Sequence, residues 1–378
     1  MAEVRLDQVT KRYRGLTDNA LHETSVTFKN GLFTCILGPS GSGKSTILKL
    51  LAGIEEVTSG RIFFDEGEVT RVTPERRDVA MVFQSYALYP NMTARDNIAF
   101  PLQLRGMSRK DRYRRVDEVA SLLGIGATLS RHPRQLSGGE RQRVALGRAI
   151  VREPKVFLLD EPISNLDANL RMQTREELKR IHAKLKATFI YVTHDQDDAS
   201  AMGDEVVVMA AGRIHQAAPP TEVYRRPADR FVASFLGRLP MNFATGVLDG
   251  EDGALILQTQ EGPTVNLGRV ADGFRMPPDR VLIGIRPESV TATRAESGAD
   301  GAIGEVIITE VFPPDRYVTA SLQGWSVRAR VVDEDVEPGD SVRLTFTTSA
   351  IHFFDPDTEE RLETLGVPAR TAELVEAS

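Results

Sequence analysis

Cysteine occurs once in this sequence, at Cys35, so no disulfide can form within the chain. Its scarcity excludes the disulfide-stapled secreted scaffolds and fits a reducing compartment, with Cys35 itself read as a small buried hydrophobe. Histidine is scarce as well: the six are scattered, and none sits with Cys, Asp or Glu at zinc-ligand spacing. No stretch of about 18 uncharged apolar residues exists, so no transmembrane helix is expected and any membrane role must come through a partner. An excess of positive charge is missing too. The formal net charge of -6 argues against a dedicated nucleic-acid binder. The opening stretch "MAEVRLDQVTKRYRG" mixes charges among its apolar residues, so a signal peptide is not expected. Low-complexity tracts and sequence repeats are absent.

What is present is an ordinary globular composition, 41% apolar and 26% charged, over 378 residues, enough for more than one domain. Residues 1–235 alternate β-rich runs with helical patterns, the mark of an α/β layer fold. "GLFTCILG" (31–38), "RDVAMVFQ" (77–84), "KVFLLDEP" (155–162), "ATFIYVTH" (187–194) and "DEVVVMAAG" (204–212) read as strands. Several are continuous apolar runs, as parallel strands covered on both faces require. "MQTREELKRIHAKLK" (172–186) places Leu178, Ile181 and Leu185 on one helical face. Residues 91–153 carry mostly helical patterns and read as a helical subdomain inserted in the α/β core. Past "LGRLPMN" (236–242) the style changes to short alternating segments separated by Gly, Pro and Asp turns, from "VLIGIRPESV" to "SVRLTFTTSAIHFF". Residues 236–365 therefore predict a small all-β barrel domain. The tail, 366–378, is expected to be poorly ordered.

"GPSGSGKST" (38–46) matches G-x-x-x-x-G-K-[ST] between a predicted strand and a helical pattern. Its glycines let backbone N–H groups wrap a phosphate at a helix N-terminus. Lys44 would reach the β- and γ-phosphates, and Ser45 would offer its hydroxyl to Mg²⁺. "VFLLDEP" (156–162) ends an apolar strand in two carboxylates. Asp160 suits a position behind the Mg²⁺ ion, and Glu161 suits polarising the attacking water. "SNLD" (164–167) follows, and "YVTHD" (191–195) sets His194 at another strand's carboxyl end, where such sheets bind ligands.

With these motifs, "LSGGE" (136–140) makes the chain resemble the ATP-binding subunits of ABC transporters over nearly its whole length. The resemblance implies an α/β P-loop NTPase cassette with a helical subdomain, followed by a small OB-like barrel domain of regulatory type. It implies hydrolysis of ATP to ADP and phosphate, coupled to solute import, with ATP and Mg²⁺ as cofactors. By it, Gly38, Pro39, Ser40, Gly41, Ser42, Gly43, Lys44, Ser45 and Thr46 would hold ATP, and Tyr13 would stack on adenine. Glu161, His194 and Gln84 would be catalytic, and Ser45, Gln84 and Asp160 would serve Mg²⁺. Gln135, Ser137, Gly138, Gly139 and Glu140 would face the ATP of a second ATPase subunit, identical or paralogous, with Asp167 at the interface. The commonest signature ends in Gln where this chain has Glu140. "DQDDAS" (195–200) also departs from the usual ending after the switch histidine. The basic run "RQRVALGRAIVREP" would be the signature helix, packing through Val144, Ala145, Ala149 and Ile150, rather than a nucleic-acid patch.

Among such ATPases, a chromosome-structural type needs a long coiled coil between phosphate loop and signature, and a translation factor usually two cassettes. A fused exporter needs membrane spans. An importer subunit remains. "MVFQSYALYPNMTARDNIAF" (81–100), "FVASFLGRLPMNF" (231–243), "GIRPE" (284–288) and "SAIHFFD" (349–355) resemble the carbohydrate-uptake group, although polyamine, sulfate and iron importers share most of these features. The rival outside transport is a soluble regulatory ATPase. The importer reading implies two transmembrane permease subunits, an extracytoplasmic solute-binding protein, no nucleic acid, and a peripheral place on the cytoplasmic face of the inner membrane. "SYALYP" would be the surface that receives the permeases.

Overall fold

A computed structural model describes residues 2–164, 166–251, 254–259, 264–269, 280–295, 301–332 and 335–362. The tail at 366–378 and the end of the expected barrel domain lie outside these residues. Two compact units make up the chain, Met1–Val223 and Tyr224–Ser378.

In the first unit the strands are β1 (Val4–Lys11), β2 (Leu21–Phe28), β3 (Phe33–Leu37), β4 (Ser59–Phe64), β5 (Gly67–Glu68), β6 (Val79–Val82), β7 (Val156–Asp160), β8 (Thr188–Thr193), β9 (Glu205–Ala210) and β10 (Arg213–Ala218). The helices are α1 (Lys44–Ala52), α2 (Ala94–Leu104), α3 (Arg109–Leu122), α4 (Gly138–Ile150), α5 (Ala168–Leu185) and α6 (Gln196–Met202), with α7 (Pro220–Arg225) running across the unit boundary. One sheet runs β10-β9-β3-β8-β7-β6, parallel except for the edge pair β9/β10. Strands β3 and β8 are buried at every position, because helices or the second sheet cover both faces, and their sequences are accordingly unbroken apolar runs. The second sheet, β2-β1-β4-β5, is antiparallel, and its residues alternate between core and solvent. None of its strands was legible as a strand: β5 is two residues long, polar residues interleave the apolar ones elsewhere, and register shifts break the period at Leu6/Val9 and Asp7/Thr10.

Helix α1 starts from the phosphate loop and stops at Gly53, whose φ of +75° supplies the left-handed cap. The buried Arg77 guanidinium finishes that end, donating to the carbonyls of Leu50 (2.5 Å) and Leu51 (3.0 Å). Helices α2, α3 and α4 fill the expected helical interval, with Val144, Ala145, Ala149 and Ile150 buried on α4. At Gly147 an added Cβ would lie 3.1 Å from Ile98, so the glycine sets how closely α2 and α4 pack. Helix α5 begins at Ala168, capped by Asp167, and buries Leu178 and Ile181, while Leu185 is half-buried.

The second unit contains α8 (Arg230–Phe235) and strands β11 (Asn242–Glu251), β12 (Ala254–Thr259), β13 (Thr264–Arg269), β14 (Val281–Ile285), β15 (Val290–Arg294), β16 (Ile303–Phe312), β17 (Asp315–Leu322), β18 (Trp325–Val331), β19 (Ser341–Phe346) and β20 (His352–Phe354). The ring β15-β18-β17-β16-β19 closes into a five-stranded barrel, an OB-like arrangement. Beside it stands an open sheet, β13-β12-β11-β14-β20, and the two share one hydrophobic core. The sequence pattern pointed to a barrel alone. Strands β11 to β13 escaped notice because they form hairpins with polar outer faces. Helix α8 belongs to this unit, N-terminal to the boundary read from sequence at 235. Its segment is bonded through Arg230 N–H to Glu359 C=O (2.9 Å) and Ala228 C=O to Arg361 N–H (2.9 Å). Asn242 fastens sheet to barrel, with its side chain paired to both the N–H and C=O of Arg328 (2.8 Å each).

His352 on β20 accepts a hydrogen bond at Nδ1 from Arg361 (3.2 Å). Burial, with the cations Arg361 and Arg286 adding to it, pulls its pKa down to about 3. The unfolded imidazole titrates near 6.5, so between about 6.5 and 3 the unfolded chain binds the extra proton and folding stability falls as pH falls. His352→Asn keeps an acceptor at the Nδ1 position and removes the proton site. Urea denaturation of the full chain at pH 7 and pH 5 should show the wild type losing more stability than His352→Asn, by up to about 1.4 kcal/mol per pH unit. Equal losses would show that His352 is not excluded from charge in the folded state.

Candidate nucleotide site

Strands β3, β6, β7 and β8 all end on the same side of the sheet, and each delivers a candidate residue as it ends. After β3 comes the phosphate loop. Gly38 has no room for a side chain: a Cβ would lie 2.1 Å from the Met209 carbonyl oxygen. Gly41 and Gly43 hold φ of +79° and +97°, and a Cβ on Gly43 would meet the Ala20 carbonyl oxygen at 2.7 Å. These glycines are set by close approach of backbone to backbone and by left-handed geometry. The loop ends at the N-terminus of α1, where N–H groups without helical partners and the dipole attract an anion. Lys44 Nζ lies over the loop, donating to the carbonyls of Gly38 and Pro39 (2.8 Å each). Burial draws its pKa down, and the charges of Glu161 and Asp160 oppose that shift.

Ser45 donates its hydroxyl to Asp160 Oδ1 at 2.9 Å. Burial raises the Asp160 pKa, the Ser45 bond resists the rise, and the neighbouring Glu161 charge adds to it. A cation at this place would relieve both burial and repulsion. The Ser45 hydroxyl and the Asp160 carboxylate are oxygen groups of the kind Mg²⁺ takes, and the Gln84 amide, tied to Ser164, carries another such oxygen. Glu161 takes φ +44°, a left-handed conformation uncommon for a residue with a side chain. Its N–H bonds Val192 C=O at 3.1 Å, and its carboxylate meets His194 Nδ1 at 3.0 Å. Sequence reading placed both residues at strand ends but gave no sign that they touch. Ser164, not singled out in advance, joins two others: it accepts from Gln84 Nε2 (3.2 Å) and donates to the Glu161 carbonyl (3.0 Å).

Tyr13 reaches the same helix start, its hydroxyl 3.4 Å from Thr46 Oγ1, and Lys11 lies 4.9 Å over its ring. Ser40 and Gly41 are exposed at the loop's turn, and Ser42 is buried beneath it.

The signature residues are engaged with their own helix start. Ser137 is the N-cap of α4, its Oγ accepting from Glu140 N–H (3.3 Å), and Glu140 Oε2 accepts in return from Ser137 N–H (2.8 Å). This reciprocal box explains the glutamate locally: it needs an acceptor, and the helix N-terminus and Arg131 (3.4 Å) favour a negative one. The Ser137 N–H bond, with the Ser137 hydroxyl and Arg131 also contributing, holds its carboxyl below the usual range. The box uses the amides of Ser137 and Glu140, leaving those of Gly138 and Gly139 at the helix tip. Gln135 closes the preceding turn, its side chain accepting from His132 N–H (2.8 Å). Asp167 caps α5 by accepting from Leu170 N–H (3.0 Å).

The acidic residues of "DQDDAS" build the start of α6. Asp195 caps α6, accepting from the amides of Asp197 (2.8 Å) and Asp198 (3.3 Å). The buried Asp198 takes bonds from Arg175, from Tyr191 (3.1 Å) and from Thr193 (3.2 Å).

Residues 21–164 match the family described as ABC transporter. The sn-glycerol-3-phosphate import ATP-binding protein UgpC of Ralstonia nicotianae is 43% identical over 370 residues, 97% of this chain and 100% of the relative. The uncharacterized ABC transporter ATP-binding protein y4oS of Sinorhizobium fredii is 44% identical over 365 residues, 96% of this chain and 95% of its own. The dimeric post-hydrolysis structure of the ATP-binding cassette MJ0796 bound to ADP and Pi aligns with a TM-score of 0.53 at 30% identity, over 57% of this chain and 98% of that one. The chain belongs to the ATP-binding subunits of ABC transporters. This ABC ATPase binds ATP and hydrolyses it, and its cassette fold carries the phosphate loop, the strand-end carboxylates and the signature helix in one unit. No helix among the described residues is long and apolar enough to cross a membrane.

The capping box yields a separable expectation. Glu140→Gln keeps an acceptor for Ser137 N–H and should leave thermal stability nearly unchanged. Glu140→Ala breaks the box and should cost about 1 kcal/mol. Urea denaturation of both variants checks this, and equal stability of Ala and Gln would show that the box contributes nothing.

Proposed function

We propose that the chain is the energising subunit of an ABC importer for sn-glycerol 3-phosphate or a related sugar derivative, seated peripherally on the cytoplasmic face of the membrane. The observation that carries this reading is the extent of the likeness. Identity of 43% runs across 97% of the chain, so it includes the all-β unit as well as the cassette.

The site residues then take these roles. Gly38 to Thr46 wrap the ATP phosphates, Lys44 leaves its loop carbonyls for the β- and γ-oxygens, and Tyr13 presents its ring to adenine. Ser45, Asp160 and Gln84 hold Mg²⁺, which when bound neutralises charge on the phosphate oxygens. Glu161 orients and deprotonates the attacking water, and His194, fixed against Glu161, holds the γ-phosphate. A second subunit supplies Ser137, Gly138 and Gly139, whose free helix-tip amides meet that phosphate, with Asp167 along the seam. ATP must bind the closed pair better than the open one, or its binding shifts nothing.

A groove of about 290 Å³ lined by Met81, Phe83, Tyr89, Phe100, Pro101 and Leu104 supports the permease contact. Tyr86 of "SYALYP" is buried in its own unit, whereas Tyr89 and Leu104 are 41% and 73% exposed. Two membrane subunits would seat there, fed by an extracytoplasmic solute-binding protein.

Labelled-solute uptake in a strain lacking this gene tests the substrate class. Uptake of sn-glycerol 3-phosphate or a sugar should fall to background and return with the wild-type gene but not with Lys44→Ala. Unchanged uptake of every such solute would sink the importer assignment for this class.

Sharing of the signature across subunits is tested with mixed dimers. Ser137→Arg on one chain and Lys44→Ala on the other put both defects on one site, so one nucleotide should be occluded per dimer. Both changes on the same chain damage each site once, so none should be. The opposite pattern would make the Gly-Gly turn a local feature only.

A further inference from the structure

Arg171, in α5, belongs to none of the nucleotide-site motifs, yet it touches two of them. Its Nη2 donates to the carbonyls of Ser164 (3.3 Å) and Leu166 (3.4 Å), in the loop that ends at Asp167. Its Nη1 donates to Asp195 Oδ2 (2.8 Å), the residue next to His194. Arg175, one turn further along, holds the same Asp195 oxygen at 3.4 Å and pairs with the buried Asp198. The two arginines differ in what they connect. Arg175 ties α5 to the start of α6 alone, while Arg171 joins the 164–167 loop to the histidine's loop through one planar group.

We infer that Arg171 is a positioning residue for hydrolysis: its guanidinium fixes the loop carrying His194 relative to the loop carrying Ser164 and Asp167. The guanidinium is rigid and planar, so displacing the Ser164 and Leu166 carbonyls displaces Asp195 with them. Asp195 is held on either side: its N–H donates to the Thr193 hydroxyl (2.9 Å), and its Oδ1 accepts from the amides of Asp197 and Asp198. His194 stands in the chain between Thr193 and Asp195, and its imidazole meets Glu161 at 3.0 Å. Ser164 in turn holds the Glu161 carbonyl. Arg171 therefore closes a loop of contacts that runs from Glu161 through Ser164, Arg171 and Asp195 back to His194. Lysine cannot replace it. One ammonium cannot serve carbonyls and carboxylate with the same two-sided geometry.

This inference rests on the reading of Glu161 and His194 as catalytic, and the experiment separates the two. ATP turnover of the full-length chain is measured for wild type, Glu161→Gln, Arg171→Gln and Arg171→Lys, together with the His194 imidazole resonances by NMR. Arg175 still holds Asp195 in both Arg171 variants, so they should fold. Arg171→Gln and Arg171→Lys should lower kcat by on the order of 10- to 100-fold with KM for ATP within about twofold. The His194 resonances should move, while those of His215 stay in place. Wild-type kcat, an unmoved His194, or a loss expressed in KM alone would overturn the inference. Retained turnover in Glu161→Gln would instead overturn the catalytic reading beneath it.

Discussion

Three parallel strands stop almost level with one another, and the site depends on that. Leu37 at the end of β3 lies opposite Thr193 of β8, and Asp160 at the end of β7 lies opposite Val192. The hydroxyl of Ser45, at the start of α1, can therefore reach over β8 to Asp160 at 2.9 Å. Had the register of β7 slipped by one residue, Asp160 would point to the other face and Ser45 would face Leu159 or Glu161 instead. The unbroken burial of β3 and β8 prevents such a slip, because every side chain on either face is already packed. Core packing thus sets the chemistry's geometry, and the polar contacts refine it.

What could be read in advance followed the strength of the pattern. The parallel strands showed themselves as apolar runs, and the phosphate loop as a motif whose glycines the structure explains one by one. The antiparallel strands β1 and β2 did not, because bulges interrupt their alternation. Strands β11 to β13 were lost among polar turns, so a barrel was expected where a barrel and a sheet share one core. Within the site, residue types were legible and contacts were not. Nothing local announces the left-handed backbone of Glu161, which is held by Val192 from a neighbouring strand. Arg171 fell just outside the helical stretch read from the sequence at 172–186. Only the folded return of β8 beside α5 brings it the carboxylate of Asp195.

One signal was present and was read in a single sense. Ser-x-x-Glu at 137–140 is the pattern of a capping box as well as the end of a ligand-facing signature. The two senses are physically compatible. The box satisfies two of the orphan amides at the tip of α4, and the two glycine amides it leaves are those a phosphate would take. Glu140 shapes the helix end, and its charge is directed at its own backbone and Arg131.

Gly139 carries a further consequence. A Cβ there would lie 3.2 Å from Leu170, which sits one turn into α5 just after Asp167. The missing side chain is thus what lets two helices nest at the edge of the cassette, independent of anything that docks on its amide. Replacement by alanine would make the Leu170 side chain give by a few tenths of an ångström, three residues after Asp167. A loss of activity at Gly139 would report on the seating of the neighbouring helix before it reported on a nucleotide. Mutational intolerance at this position is for that reason an ambiguous marker of ligand contact, whereas Gly138, whose nearest neighbour is Leu166 at 3.4 Å, offers the cleaner probe.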